Sequence, residues 1–242
     1  MNQRRAWERE YEVKNLVGGD KPALSFRVFA KWLKKERKAD GLIENPGFPF
    51  QGMRVLDLGS GEGKNALYMA ERGAEVIGIE IARNAVKYAQ ERAEHMSREL
   101  RYAGGSIEYR VGSIGEKFDV QDGSIDLILD VTSSNSLSKS ERELYLHECN
   151  RVLKYEGHMF VRALSKDSDD NAKQLINDHP GAEPDTYILP GVGITERVFT
   201  EQDIRELYSP HFQIIQLEKE FHYTKMEGRS YKRAFWIMYL QK

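Results

Sequence analysis

The chain has 242 residues, 40% of them hydrophobic and 31% charged, with 36 basic against 38 acidic side chains. That length suits one large α/β domain or two small ones, and the near balance of charge excludes a chain given over to gripping phosphate backbones. One cysteine, Cys149, excludes a disulfide framework and a cysteine-based metal site; with neither a membrane-length apolar run nor a secretory signal, the expected location is cytoplasmic.

Residues 1–52 read as a helical cap ahead of the main domain. Trp7, Tyr11 and Leu16 lie roughly a turn apart, and Val17-Gly18-Gly19-Asp20 ends that segment. Pro22 opens a second helix with Leu24, Val28, Phe29, Trp32 and Leu33 on one face. Lys31, Lys34, Lys35 and Lys38 share a solvated opposite face. Asn45-Pro46-Gly47-Phe48-Pro49 is a turn-rich connector.

Residues 53–242 form the second unit, where short strands alternate with helices. Met53 to Leu58 is an apolar run ended by a glycine-rich turn. Ala66, Leu67, Met69 and Ala70 give a helical face, and Glu75 to Ile79 a second strand, before a helix over residues 82–96. Ile107 to Val111 and Ile125 to Val131 are the third and fourth strands. Ser140 and Glu143 read as a capping box, ahead of a helix in which His147 has a packing role. Gly157 to Leu164 is the fifth strand. Residues 165–199 are a long connection, with Tyr187, Gly191-Val192-Gly193 and Arg197, of the kind that shapes substrate choice. Thr200 starts a short helix that stops before Pro210. Phe212 to Glu220 and Lys232 to Leu240 then form an antiparallel pair turned at Glu227-Gly228-Arg229. The sum is an α/β class chain: five parallel βα units closed by an antiparallel pair.

The chemistry centres on Asp57-Leu58-Gly59-Ser60-Gly61-Glu62-Gly63, between the first strand and first helix, where open α/β sheets bind ligands. A dinucleotide fingerprint needs glycine three positions after Gly61, and Lys64 stands there. No Gly-Lys-Ser/Thr follows, so a P-loop is excluded.

This segment resembles the first motif of class I S-adenosylmethionine-dependent methyltransferases, an acidic residue leading into Gly-x-Gly-x-Gly. Glu80 at the end of the second strand, Gly112-Ser113-Ile114 after the third, Ser124 to Asp130 in the fourth, and Glu148 to Lys154 followed by Gly157 are similar to the family's later features, in order. The resemblance implies a doubly wound, seven-stranded, mostly parallel sheet with an antiparallel C-terminal edge pair, helices on both faces, and S-adenosyl-L-methionine as cofactor. It places Asp57, Gly59, Ser60, Gly61 and Gly63 at the cofactor loop, Glu80 with Ile81 on the ribose, and Ser113 with Ile114 at the adenine. Two departures stand out: Ser113 replaces a common acid, and Tyr155-Glu156 replaces Pro-Gly.

A methyl sulfonium is already activated, so the family's proteins chiefly align an acceptor, and a base serves only acceptors that must lose a proton. The acceptor is expected beyond strands four and five. Asp130 is the first candidate for contact with it or with the methionine end of the cofactor. His222 and Tyr223 are candidate catalytic groups at the rim, and Trp7, Tyr11 and Arg197 candidate substrate contacts. Arg162, Arg197 and Arg229 are candidates to converge on an anionic acceptor. The segment after Asp130 lacks the Asn/Asp-Pro-Pro-aromatic signature of exocyclic-amine methylation, and Cys149 sits mid-helix, so nucleic-acid acceptors lose ground. Asp130 and Asp170-Asn171 superficially match the metal-assisted catechol type. Asp170 lies too far past Leu164, and Ser168-Asp169-Asp170 reads as a helix start, so no metal is expected. The expected reaction methylates oxygen or nitrogen of a small molecule. The alternatives are a protein or RNA acceptor, or a regulatory module that binds cofactor without turnover.

Overall fold

In the computed structural model the described residues are 3–13, 19–42, 48–226 and 229–242, with side chains except those of residues 13, 224–226 and 229–231. The helices are α1 (Gln3–Val13), α2 (Leu24–Ala39), α3 (Lys64–Ala70), α4 (Arg83–His95), α5 (Ser97–Ala103), α6 (Lys139–Val152), α7 (Asp170–Asp178) and α8 (Glu201–Tyr208). The strands are β1 (Arg54–Leu58), β2 (Glu75–Glu80), β3 (Ser106–Val111), β4 (Ile125–Val131), β5 (Leu153–Leu164), β6 (Thr186–Ile188), β7 (Thr195–Arg197), β8 (Gln213–Met226) and β9 (Arg229–Gln241). Seven strands make one sheet in the order β3-β2-β1-β4-β5-β9-β8, parallel through β5, with β9 and β8 antiparallel at the edge. β6 and β7 form a separate two-stranded ribbon inside the 165–199 connection.

The central strands are apolar on both faces because helices cover both. Along β4, Leu127 and Leu129 join one core layer with Phe26 and Phe29 of α2. Ile128 between them joins the other, with Tyr145 and Cys149 of α6. Strand order reverses about β1, with β2 on one side and β4 on the other, both parallel to it. The crevice at the carboxyl ends of these strands is the natural ligand position in such a sheet.

Several elements differ from the sequence expectation. The buried face of α2 carries Phe26, Phe29, Ala30 and Leu33, whereas Leu24 and Val28 are exposed. Phe29 stacks edge-on against Tyr239, with ring centroids 4.8 Å apart, so α2 is part of the core. The capping box of α6 is Ser138 with Glu141, two residues ahead of the expected pair. His147 is exposed rather than packed, its side chain 70% accessible. The helix expected over residues 82–96 ends at His95, and α5 follows, stopped by left-handed Gly104. β5 begins at Leu153, directly from α6, and turns at Glu156, which has a left-handed φ of 61°. β8 and β9 run past their expected ends toward the turn. Leu16, Val17-Gly18, Asn45-Pro46-Gly47 of the connector, and Glu227-Gly228 lie outside the described residues. No helix among the described residues is long and apolar enough to cross a membrane.

Candidate active site

The loop from β1 to α3 is held as a fixed cradle. Gly59 and Ser60 both donate their N–H to the Ile79 carbonyl, at 2.8 and 3.1 Å, and Gly63 donates to Ser60 O at 2.9 Å. Gly61 takes φ 52° and Gly63 φ 80°, both left-handed. A Cβ on Gly61 stands 2.8 Å from the Tyr11 hydroxyl, and one on Gly63 collides with the Tyr109 hydroxyl. Glycine is therefore required here by packing as well as by backbone angle.

Glu80 closes the loop from β2. Its Oε2 accepts from Gly61 N at 3.0 Å and its Oε1 from Ala82 N at 2.8 Å. Burial raises its pKa, and the backbone donors at Ala82 and Gly61 oppose that rise. Asp57 lies deeper, 1% exposed, with Oδ2 unpartnered among the described residues. Burial first, then the neighbouring Asp130 and Glu80 carboxylates, lift its pKa to about 7.

α1 covers this cradle through three contacts. Gln3 donates to Ser136 O and Thr195 O, at 2.9 and 3.0 Å, and accepts from Thr195 N, which joins α1 to β7. The Glu8 carboxylate accepts from Arg83 N and Asn84 N at the start of α4, where Ala82 supplies no side-chain cap. Tyr11 packs with Ala82 and Ala85, with Trp7 beside it at 6.2 Å between ring centroids.

At the end of β4, Asp130 is fully buried. Its Oδ1 accepts from Ser133 N (2.9 Å) and Ser134 N (3.3 Å), and its Oδ2 from the Tyr145 hydroxyl at 2.7 Å. Between them Thr132 holds φ 60°, a strained setting for a β-branched residue. Asp130 thus shapes the 131–134 turn from beneath.

These elements enclose a cavity of about 590 Å³. Gly59, Ser60, Gly61, Glu80, Ile81, Ser113, Ile114, Trp7, Tyr11 and His222 all line it. Asp57, Gly63, Asp130, Tyr223 and Arg197 do not. Asp57 and Gly63 lie within the loop's packing. Asp130, expected to touch acceptor or cofactor, is corrected to a turn-holding carboxylate, because its oxygens are taken up by internal donors. Tyr223 is 67% exposed on β8, outside the cavity. Arg197 turns to Asp203 at 3.1 Å and the Phe199 ring at 5.1 Å, so it is not a cavity residue. Asp169 caps α7 through Ala172 N, whereas Asp170 is exposed in its first turn. Ser113 Oγ accepts from Gly115 N at 3.1 Å, which fixes the turn after β3.

The cavity also has walls that sequence reasoning missed: Leu24, Glu220, Phe221 and Phe235, with Arg162 between them. Their only sequence signal is topological: Glu220 and Phe221 lie within β8 and Phe235 within β9, strands that the sheet order brings beside β5, and Leu24 opens α2.

A family model described as "Methyltransferase domain" matches residues 55–157, which contain the cradle, Glu80 and the turn after β4. Together with the sheet order and the glycine cradle, that match supports a class I S-adenosylmethionine-dependent methyltransferase domain. The chain is similar to the ubiquinone biosynthesis O-methyltransferase of Alkalilimnicola ehrlichii, 31% identical over 58% of this chain and 51% of that protein. It is also similar to the mitochondrial protein of that name from Mus musculus, 27% identical over 69% of this chain and 43% of that protein. The chain spans about half the length of the curated relatives it matches. Among solved structures it resembles a SAM-dependent methyltransferase of Methanosarcina mazei (TM-score 0.67, 22% identity, covering 78% of this chain and 92% of that one). It also resembles the 1,6-didemethyltoxoflavin-N1-methyltransferase of Burkholderia thailandensis, solved with its substrate and S-adenosylhomocysteine (TM-score 0.58, 16% identity, 90% and 78% covered).

S-adenosylmethionine is the cofactor that the methyltransferase-domain match supports, and the residues present fit it. Ser60 Oγ and Asn65 Oδ1 are buried without a partner among the described residues, on side chains that line the cavity. Glu80 lines it too, with carboxylate lone pairs beyond the two that take backbone donors.

Proposed function

We propose that the protein transfers a methyl group from S-adenosylmethionine to an oxygen or nitrogen of a small molecule, in the cytoplasm. The observation that carries this reading is a cavity of about 590 Å³, which runs from the glycine cradle to an aromatic wall at Phe221 and Phe235 and is roofed by α1. Its size lies within the ~300–1,000 Å³ of small-ligand sites.

When bound, S-adenosylmethionine supplies a methyl group on a positively charged sulfur, already activated for displacement. Glu80 would hold the ribose hydroxyls by charge-assisted bonds, the cradle of Gly59 to Gly61 would take the methionine part, and Ile81, Ser113 and Ile114 would flank the adenine. Trp7 and Tyr11, which line the same cavity, would screen the cationic centre from water. The 131–134 turn, held from below by Asp130, sets the distance between acceptor and donor. Among the groups expected to act on the acceptor, His222 lines the cavity, and it takes the proton from an acceptor hydroxyl. The 1–52 segment acts as cap through α1, and the 165–199 segment acts as its docking ledge through Thr195.

The test is calorimetric titration with S-adenosylmethionine and with NAD, followed by S-adenosylhomocysteine release across a panel of phenols and amines. Micromolar binding of the first nucleotide alone, with turnover on a panel member, is the expected result. Binding of NAD, or release only with RNA or protein acceptors, overturns the reading.

A further inference from the structure

We propose that Arg162 is the docking fork for an anionic group, a carboxylate or a phosphate, carried by the methyl acceptor. This rests on the methyl-transfer reading above and names the acceptor's chemistry.

Arg162 lies near the carboxyl end of β5, with a side chain only 14% accessible. Its Nε donates to Glu220 Oε2 at 2.8 Å, and the same oxygen accepts from Ser25 Oγ at 3.2 Å. Its guanidinium carbon stands 3.4 Å from the centroid of the Phe235 ring. One edge and one face of the guanidinium are therefore fixed by the protein. The Nη groups have no hydrogen-bond acceptor among the described residues, and the side chain lines the cavity. A planar fork held by one nitrogen and one face, with its other donors open, matches a carboxylate or phosphate oxygen pair.

The surrounding charge agrees. Four acids line the cavity, Glu62, Glu80, Glu141 and Glu220, and the last three are occupied by donors of the protein: Gly61 and Ala82, Ser138, and Arg162 with Ser25. Lys21, Lys64 and His222 share the cavity lining with Arg162. Burial and the like charge of Arg162 lower the Lys64 pKa, while the Asp57 and Glu62 carboxylates beside it oppose that fall. Leu24, Phe221 and Phe235 supply an apolar surface beside the fork, so the acceptor class is an aromatic or otherwise apolar body bearing an anion.

The position also separates this group from the cofactor. The cradle and Glu80 lie on β1 and β2, whereas Arg162, Glu220 and Phe235 lie on β5, β8 and β9, across β4.

The experiment titrates benzoate, phenyl phosphate and benzamide into the full chain saturated with S-adenosylhomocysteine. Wild type should bind at least one anion about tenfold or more tighter than neutral benzamide, and the preferred anion distinguishes carboxylate from phosphate. Arg162→Met should bring the ratio near one. Arg162→Lys, which keeps the charge for Glu220 and loses the fork, should fall between. If Arg162→Met does not fold, the Arg162→Met/Glu220→Gln double variant leaves no unpaired carboxylate and carries the same expectation. S-adenosylhomocysteine affinity should stay within about twofold throughout. No anion preference in wild type overturns the proposal, as does a preference that survives Arg162→Met. A tenfold loss of S-adenosylhomocysteine affinity in the variants overturns it differently, by assigning Arg162 to the cofactor's carboxylate. Wild type that binds no S-adenosylhomocysteine removes the methyl-transfer reading itself, and this inference with it.

Discussion

On the β1–β2 side of the cavity the wall is backbone, held in place by buried carboxylates. Glu80 accepts from Gly61 and Ala82, while Asp130 accepts from Ser133, Ser134 and Tyr145. On the β5–β8–β9 side the wall is side chains: Arg162 against Glu220 and Phe235, with Leu24 from the start of α2. The first wall comes from short contiguous segments of chain. The second is assembled from residues scattered between positions 24 and 235. One wall is thus set by local backbone geometry, and the other by side chains that the topology gathers.

If the first wall is a rigid frame, its internal carboxylates should matter most to stability. Asp130→Ala leaves two buried N–H groups and a buried hydroxyl without an acceptor, and should lower unfolding free energy by about 3 kcal/mol or more. Urea unfolding measures this. A loss below about 1 kcal/mol with activity abolished would return Asp130 to the chemistry.

Asp57 gives the next effect, and it depends on pH. Its ordinary value of 3.8 rises to about 7 in the folded chain, so the native state holds the proton more tightly than the unfolded state. Stability from this group is complete below the unfolded value, falls as pH rises between about 4 and 7, and is level above. Asp57→Asn abolishes that slope. The variant's stability relative to wild type should therefore climb from pH 4 to pH 8, by on the order of 2–4 kcal/mol. Equal differences at both pH values would show that burial does not hold the proton on Asp57.

Glu80→Ala acts on binding instead. Removing charged hydrogen bonds of roughly 1.5–3 kcal/mol should weaken S-adenosylhomocysteine about 10- to 100-fold by calorimetry. The loss of the Gly61 N–H acceptor adds a looser cradle to the lost ribose contact. Unchanged affinity in a folded variant would move the ribose elsewhere.

The same contrast explains what was legible in the sequence. The alternation of strand and helix was readable because β4, for example, carries the continuous apolar run Leu127-Ile128-Leu129, and its expected limits, Ile125 to Val131, are those observed. The glycine cradle and Glu80 were readable because their positions follow one another along the chain. The buried face of α2 was misjudged because Leu24 and Val28 are apolar yet point to the cavity mouth and solvent, while Ser25 is buried against Glu220. The α6 cap was displaced because Ser138–Glu141 and Ser140–Glu143 have identical spacing, and only the entry of the chain into the helix separates them. The Arg162–Glu220 pair was out of reach, because 58 residues separate its members and nothing local marks either one.

Arg197 gives the smallest effect and a control on the second wall. Sequence reasoning offered it beside Arg162 as a contact for the acceptor, and the fold separates the two. Arg197 Nη2 donates to Asp203 Oδ1 at 3.1 Å, and Asp203 also accepts from Thr200 N and Thr200 Oγ1 in the cap of α8. The pair is partly accessible, 17% and 23%, so solvent screens it. Arg197→Ala should lower stability by no more than about 1 kcal/mol, because the cap survives on its own hydrogen bonds. It should leave both S-adenosylhomocysteine affinity and the preference for benzoate or phenyl phosphate over benzamide unchanged, measured in the same titrations as the Arg162 variants. A lost anion preference in Arg197→Ala would mean that the two arginines act as one site and that the wall extends to the 165–199 segment. An intact preference confines anion recognition to the β5 side of the cavity.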